Sequence, residues 1–146
     1  MNLSVRPASL GDAEAVATLD GESGYPATRE DIAARLSPLL DLDRPLLAVA
    51  GGSPGGLPGL IDSESRLAIE SGTSCGLTGL VFAADARQAG LGSALVAAAE
   101  AWALACGAAS MRVRSNVVRP EAHAFYARLG YGIQKTQHCY ARSLRT

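Results

Sequence analysis

The stretch that most constrains this chain runs from Leu77 to Cys106. Leu77 to Ala84 is a largely apolar run, as expected of a central strand covered on both faces. A glycine-containing loop follows, Arg87-Gln88-Ala89-Gly90-Leu91-Gly92, and then a helix predicted from about Gly92 to Cys106. Leu95, Ala99, Trp102 and Cys106 mark one stripe of that helix, with Val96 and Ala103 beside them, which is amphipathic spacing. Gly107 is placed to close it in the left-handed conformation. A strand–loop–helix junction points several backbone N–H groups at one spot, and the helix dipole adds partial positive charge there. Glycine at positions 90 and 92 lets an anion approach the backbone, although the same glycines also suit a plain tight turn. Two better-known phosphate loops do not fit. A Walker loop needs a lysine followed by serine or threonine, where Leu91 and Gly92 follow Gly90. A G-x-G-x-x-G fingerprint needs a third glycine where Leu95 stands.

Composition explains why local geometry would have to hold any anionic ligand. The formal net charge is −1, so no global field favours nucleic acid or an anionic membrane. The 146 residues suit one domain, 1–146, with 48% hydrophobic and 18% charged residues, a globular balance. A chain of that length buries roughly 70% of its unfolded surface without a metal or disulfide staple. Cys75, Cys106 and Cys139 are odd in number and widely spaced, which argues against a disulfide framework and for a reducing, cytoplasmic compartment. His123 and His138 do not stand at zinc-ligand spacing from them, so no metal is expected. No apolar run approaches the ~20 residues of a membrane span, and Arg6-Pro7 interrupts the N-terminus early.

Read in order, Leu3 and Val5 alternate with polar neighbours in a first strand ending at Pro7. Ser9 with Asp12, and Thr28 with Asp31, are spaced as capping boxes of two helices. Val16 and Leu19 would line the first, and Ile32, Leu36 and Leu39 the second, which Pro38 limits. Leu46–Ala50 is a short apolar strand before the turn Gly51-Gly52-Ser53-Pro54-Gly55-Gly56. Leu57–Glu70 can pair with it as a strand, although Asp62, Ser63, Glu64 and Ser65 break the pattern, and Gly72–Ser74 reads as a turn. Beyond the long helix, Met111 and Val113 alternate with Arg112 and Arg114 in a strand. A last helix starts at Pro120 and stops at Gly130, with Phe125 and Leu129 inward. Tyr131–Ile133 and His138–Leu144 read as two final strands.

Arg87-x-x-Gly90-x-Gly92, between an apolar strand and an amphipathic helix, resembles the acyl-CoA pyrophosphate signature of the GNAT acetyltransferase superfamily. The segment Ser115-Asn116-Val117-Val118-Arg119-Pro120-Glu121-Ala122-His123-Ala124-Phe125-Tyr126-Ala127-Arg128-Leu129-Gly130-Tyr131 is similar to that family's asparagine, arginine, alanine, Phe-Tyr pair and Leu-Gly-aromatic. The resemblance is clear from about Leu77 onward and rests on element order before it. It implies an α/β (α+β) fold: a mixed, mostly antiparallel central sheet flanked by helices. A V-shaped opening would separate the central strand from the strand after the long helix.

By the same resemblance, acetyl-CoA is the co-substrate and an amine of a small molecule or peptide the acceptor; the first two helices and Leu57–Ser74, which would shape that pocket, carry no recognisable signature. The pyrophosphate would rest on the loop Arg87, Gln88, Ala89, Gly90, Leu91, Gly92 and Ser93. The pantetheine arm would pair like an extra strand along Leu80, Val81, Phe82 and Ala83, with Asn116 beside it. Tyr126 matches the tyrosine that protonates the departing CoA thiolate. A thiolate has a reference pKa near ~8.5, so a nearby hydroxyl donor lowers the cost of expelling it; packing its ring on the core is the other role open to Tyr126. The chain also departs from the family. Many relatives carry a glutamate base on the central strand, where Thr78 and Gly79 stand here, and Gln88 and Ala89 replace residues that are often glycine and a polar or basic side chain. Asp62, Glu64 and Glu70 remain as base candidates or as ordinary solvated carboxylates, and His123 is expected to be structural or exposed. Without a base the amine would lose its proton to water or arrive neutral. Arg112 and Arg114 either attract an acidic acceptor or the CoA phosphates, or form a solvated strand face. Two functions follow, an N-acetyltransferase or a non-catalytic acyl-CoA-binding module. The resemblance admits a homodimer and implies no nucleic-acid or membrane partner.

Overall fold

Apolar alternation over a few residues is enough to start the sheet, because each short strand finds an edge to pair with. β1 (Val5–Pro7) runs antiparallel to β2 (Leu46–Ala50), with Val5 facing Ala50 and Pro7 facing Ala48. Strands lie in the order β1-β2-β3-β4-β5, so Pro7 sits on an edge strand, where a missing N–H is tolerated. These positions come from a computed structural model that describes residues 4–22, 24–42, 46–51, 58–83, 90–114 and 120–145. The turn expected over Gly52–Gly56 lies outside the described residues.

Between β1 and β2 the chain makes the two expected helices. A 3₁₀ turn at Leu10–Asp12 leads into α1 (Ala13–Glu22), and the backbone N–H of Ser9 donates to Asp12 Oδ2 at 2.8 Å. α2 (Arg29–Leu40) begins at a full capping box: the Asp31 N–H donates to Thr28 Oγ1 at 3.0 Å, and the Thr28 N–H donates to Asp31 Oδ2 at 3.1 Å. Pro38 lies inside α2, which runs on only to Leu40. Both helices bury one stripe, Val16 and Leu19 with Ile32 and Leu36, against Leu47, Val49 and Leu60 of the sheet.

β3 (Gly59–Ala68) and β4 (Gly72–Phe82) form a long antiparallel hairpin. The polar run Asp62–Ser65 therefore lies inside a strand. The β2 ladder ends at Leu46 opposite Ser63, and from Glu64 onward β3 pairs only with β4 among the described strands. Cys75, opposite Ser65, still packs on Ala103 and Ala108, and only further along, at Arg66 and Leu67, is β3 exposed. The turn expected at Gly72–Ser74 is strand instead, and the chain turns at residues 69–71.

α3 (Leu91–Ala105) packs on the other face, against β2, β3 and β4. Leu91, Leu95, Val96 and Ala99 are buried there, so the middle of the sheet is covered on both faces. Gly107 has φ +84°, and the Ala108 N–H donates to the Ala103 carbonyl at 3.0 Å to close the helix. β5 (Met111–Val113) then pairs parallel with β4.

The chain divides into two units, Met1–Arg114 and Ser115–Thr146. The second holds α4 (Pro120–Arg128), closed by hydrogen bonds from the Gly130 N–H to the Ala127 carbonyl and from the Tyr131 N–H to the Tyr126 carbonyl. The strands expected over Tyr131–Ile133 and His138–Leu144 are not formed. A strand needs a ladder partner as well as alternation, and residues 131–145 have no ladder, with Ile133, Tyr140 and Leu144 exposed.

Candidate active site

At the start of α3, Gly90 is the N-cap with φ 73° and ψ 15°, a left-handed conformation that side chains rarely adopt. A Cβ there would meet nothing within 4 Å, so backbone conformation demands the glycine and space does not. No side chain caps the helix and its first turn holds no acidic residue. Among the described residues the dipole and the first N–H groups thus meet no side-chain cap or acidic residue of the helix itself, a condition that suits a ligand anion. Leu91 and Gly92 are buried, while Gly90 and Ser93 are exposed.

What holds this helix start close to the sheet is a residue that sequence reasoning missed. A Cβ on Gly59 would stand 2.9 Å from Leu95 Cδ1, 3.0 Å from Leu91 Cδ2 and 3.3 Å from Phe82 Cβ. Glycine at this position lets two fully buried leucines of α3 settle on β3. No periodicity argument marks such a position, because its role is to be empty.

The strand beside that helix start loses its second neighbour partway along. The parallel ladder pairs Cys75 with Met111, Gly76 with Arg112 and Leu77 with Val113. Among the described residues it stops there, and β4 continues to Phe82 paired with β3, Leu80 facing Ile61 and Val81 facing Leu60. Beyond the strand the Ala83 N–H donates to the Pro58 carbonyl at 2.7 Å. Leu80, Val81, Phe82 and Ala83 are half-buried. The expected opening between the central strand and the strand after the long helix corresponds to this early end of the ladder.

A β-bulge marks the same point. Asp62 faces Gly79 and Ser63 faces Leu77, so Thr78 is the extra residue on β4. Asp62 is half-buried, with the Thr78 hydroxyl on its neighbouring strand. Burial pushes its pKa up; the Thr78 hydroxyl opposes that shift, and the charge of Glu64 adds to it. The other carboxylates behave differently. Glu64 Oε1 stands 4.0 Å from Arg66 Nη2 with its side chain 46% exposed, and Glu70 is exposed in the hairpin turn. Arg112 and Arg114 are exposed. Among the described residues, no group of three or more His, Cys, Asp or Glu could hold a metal ion, and no helix is long and apolar enough to cross a membrane.

In the second unit, Tyr126 lies half-buried on α4 with His123, also half-buried, one turn earlier. Its ring meets Phe125 edge-on at 5.1 Å between centroids, and Tyr131 at 5.8 Å. Burial pushes the phenol pKa up, which keeps the hydroxyl protonated and able to donate. Arg87, Gln88, Ala89 and Asn116 lie outside the described residues.

The family and the fold agree with this geometry. The acetyltransferase (GNAT) family model matches residues 23–131. A transcriptional regulator from Bacillus halodurans C-125 superposes with a TM-score of 0.84 at 20% identity, covering 97% of this chain and 100% of that one. The aminoglycoside antibiotic 6′-N-acetyltransferase AAC(6′)-Ih from Acinetobacter baumannii gives 0.83 at 14% identity over 99% and 100% of the two chains. AAC(6′)-Iy, in complex with the bisubstrate analogue CoA-S-monomethyl-acetylneamine, gives 0.83 at 18% identity over 98% and 99%. No curated protein matches in sequence. With the family model spanning well over half of its length, the chain belongs to the GNAT acetyltransferase family.

Proposed function

We propose that this protein is an N-acetyltransferase that moves an acetyl group from acetyl-CoA to an amine of a small molecule or peptide. One observation carries the reading. A helix N-terminus with no side-chain cap, opened by a left-handed glycine, follows in the sequence after a strand whose ladder to β5 ends, among the described residues, at Leu77. Amides at Gly90–Ser93, extended by Arg87–Ala89, would take the pyrophosphate. The edge along Leu80–Ala83, with Asn116, would take the extended pantetheine. Tyr126, kept protonated, would donate to the CoA thiolate as the new C–N bond forms and the C–S bond breaks.

The departure at Thr78 and Gly79 favours a second reading, a module that binds acyl-CoA without turning it over. The test is a panel of amine acceptors offered with acetyl-CoA and read by thiol release. Release with at least one amine class supports the transferase. A protein whose melting temperature rises with acetyl-CoA but which releases no thiol with any amine is the binding module.

A further inference from the structure

Gly90 bends the chain into α3, but packing does not hold it there. A Cβ on Gly90 would meet nothing within 4 Å among the described residues. The next residue supplies the anchor. Leu91 is the first residue of the helix and is fully buried. The first intrahelical bond runs from the Ala94 N–H to the Gly90 carbonyl at 3.1 Å, so the Leu91 N–H is one of the donors that helix geometry leaves free. That N–H and the buried side chain are joined by one Cα. Where the side chain seats therefore decides where the donor points.

The seat is Gly59. A Cβ on Gly59 would stand 3.0 Å from Leu91 Cδ2 and 2.9 Å from Leu95 Cδ1, so one helix face, at i and i+4, lies on bare backbone. Leu95 is fully buried as well, and in a close-packed interior a side-chain end cannot move without disturbing its own neighbours. Gly59 is also tied to the end of β4. It faces Phe82 across the ladder, and its Cβ would stand 3.3 Å from Phe82 Cβ. Beside it the Ala83 N–H donates to the Pro58 carbonyl at 2.7 Å. One glycine thus meets both the start of α3 and the last residues of β4. A ligand that spans two such places has its own fixed length, so the protein must hold them at a matching distance, within about 0.5 Å.

We propose that Gly59 is a positioning residue for the cofactor, setting the distance between the amides that open α3 and the end of β4. The role rests on the transferase reading above, which gives those two places to the pyrophosphate and the pantetheine of acetyl-CoA. Gly59 reaches the ligand only through Leu91 and Phe82.

The test titrates acetyl-CoA, and S-acetyl-pantetheine, which lacks the pyrophosphate, into the parent, Gly59→Ala, Leu91→Ala and Leu95→Ala, with the melting temperature of each. Gly59→Ala crowds the seat and Leu91→Ala empties it, two opposite steric changes with one expected result. Each weakens acetyl-CoA on the order of tenfold, which corresponds to about 1.4 kcal/mol. S-acetyl-pantetheine binds each of them nearly as it binds the parent, because only the spacing of the two places has changed. Leu95→Ala leaves its cavity one turn further along the helix, so it melts lower than the parent but keeps the parent's preference for acetyl-CoA. A merely structural Gly59 would lower that preference in step with the melting temperature, in Leu95→Ala as in the other two, and this result overturns the proposal. A parent-like preference in Gly59→Ala or Leu91→Ala overturns it too. Should Gly59→Ala not fold, the contrast between Leu91→Ala and Leu95→Ala decides. A parent that binds both thioesters equally overturns the cofactor reading itself, and the positioning role falls with it.

Discussion

Asp12 is buried and charged, and its neighbours show what such a residue needs when its work is structural. Arg6 Nη2 donates to Asp12 Oδ1 at 2.8 Å and Nη1 to Oδ2 at 3.0 Å, while the Ser9 N–H fills a further site. The Arg6 hydrogen bonds hold the Asp12 carboxyl below the usual carboxylate range, and those from Ser9 add to the effect. A depressed carboxylate contributes stability that is present above its unfolded pKa, near ~3.9, and lost as pH falls through the native value. Asp12→Asn should therefore cost about 1–3 kcal/mol at neutral pH, toward the lower end because Arg6 is partly exposed. Urea melts of parent and variant should converge as pH falls through the depressed native value of Asp12, where the parent loses this charge too. A gap that persists unchanged in acid would mean the charge is not what stabilises. Tyr126 poses the complementary case, a residue whose burial favours its neutral form. Replacing it by phenylalanine keeps the ring contacts with Phe125 and Tyr131 and removes only the donor. The expected result is a fall in kcat of roughly 10²-fold, with acetyl-CoA affinity little changed. Full turnover would assign the thiolate's proton to another source.

At the scale of elements, the contact between α3 and β3 sets where the helix begins, and so where its N–H groups point. Gly59→Ala places a Cβ against the side-chain ends of two fully buried leucines, and overpacking of this kind costs about 1–3 kcal/mol. Leu95→Ala alone should cost about 2–5 kcal/mol through the cavity it leaves. The two together should cost less than the sum, because each relieves the other, and a double-mutant cycle by denaturant unfolding reads that coupling. Strict additivity would deny the contact. The helices themselves were legible in the sequence: Ser9–Asp12, Thr28–Asp31 and Gly107 are local signals, and each acts where its spacing predicts. Register was not. Asp62, Glu64 and Glu70 look alike in a polar stretch, and only the slip at Thr78 turns one of them toward Gly79. Nor does Gly59 announce itself, since a glycine before an apolar run reads equally well as a turn. The final strands misled for the opposite reason. Their alternation is local, but the ladder that would make them strands depends on an edge elsewhere in the fold.

For the molecule as a whole, a net charge of −1 means that affinity for a polyanionic ligand must arise at one place and should disappear when that place is spoiled. Acetyl-CoA at about a hundredfold excess over its Kd should stabilise the fold by about 2.7 kcal/mol through mass action, or roughly 5–10 °C in Tm for a chain this size. Gly90→Val tests whether that stabilisation comes from the start of α3. Nothing lies within 4 Å of a Cβ at Gly90, so the variant has space for its side chain. It cannot readily hold φ 73°, and the strain of a β-branched residue in that region, about 1–3 kcal/mol, would re-aim the first amides. The variant should fold with a modestly lower Tm and show little or no acetyl-CoA shift. A pantetheine thioester without the pyrophosphate should shift the parent far less than acetyl-CoA does, and should shift parent and variant alike. A full acetyl-CoA shift in folded Gly90→Val would move the anion site away from α3, and an equal response of the parent to both thioesters would remove the pyrophosphate from the binding energy altogether.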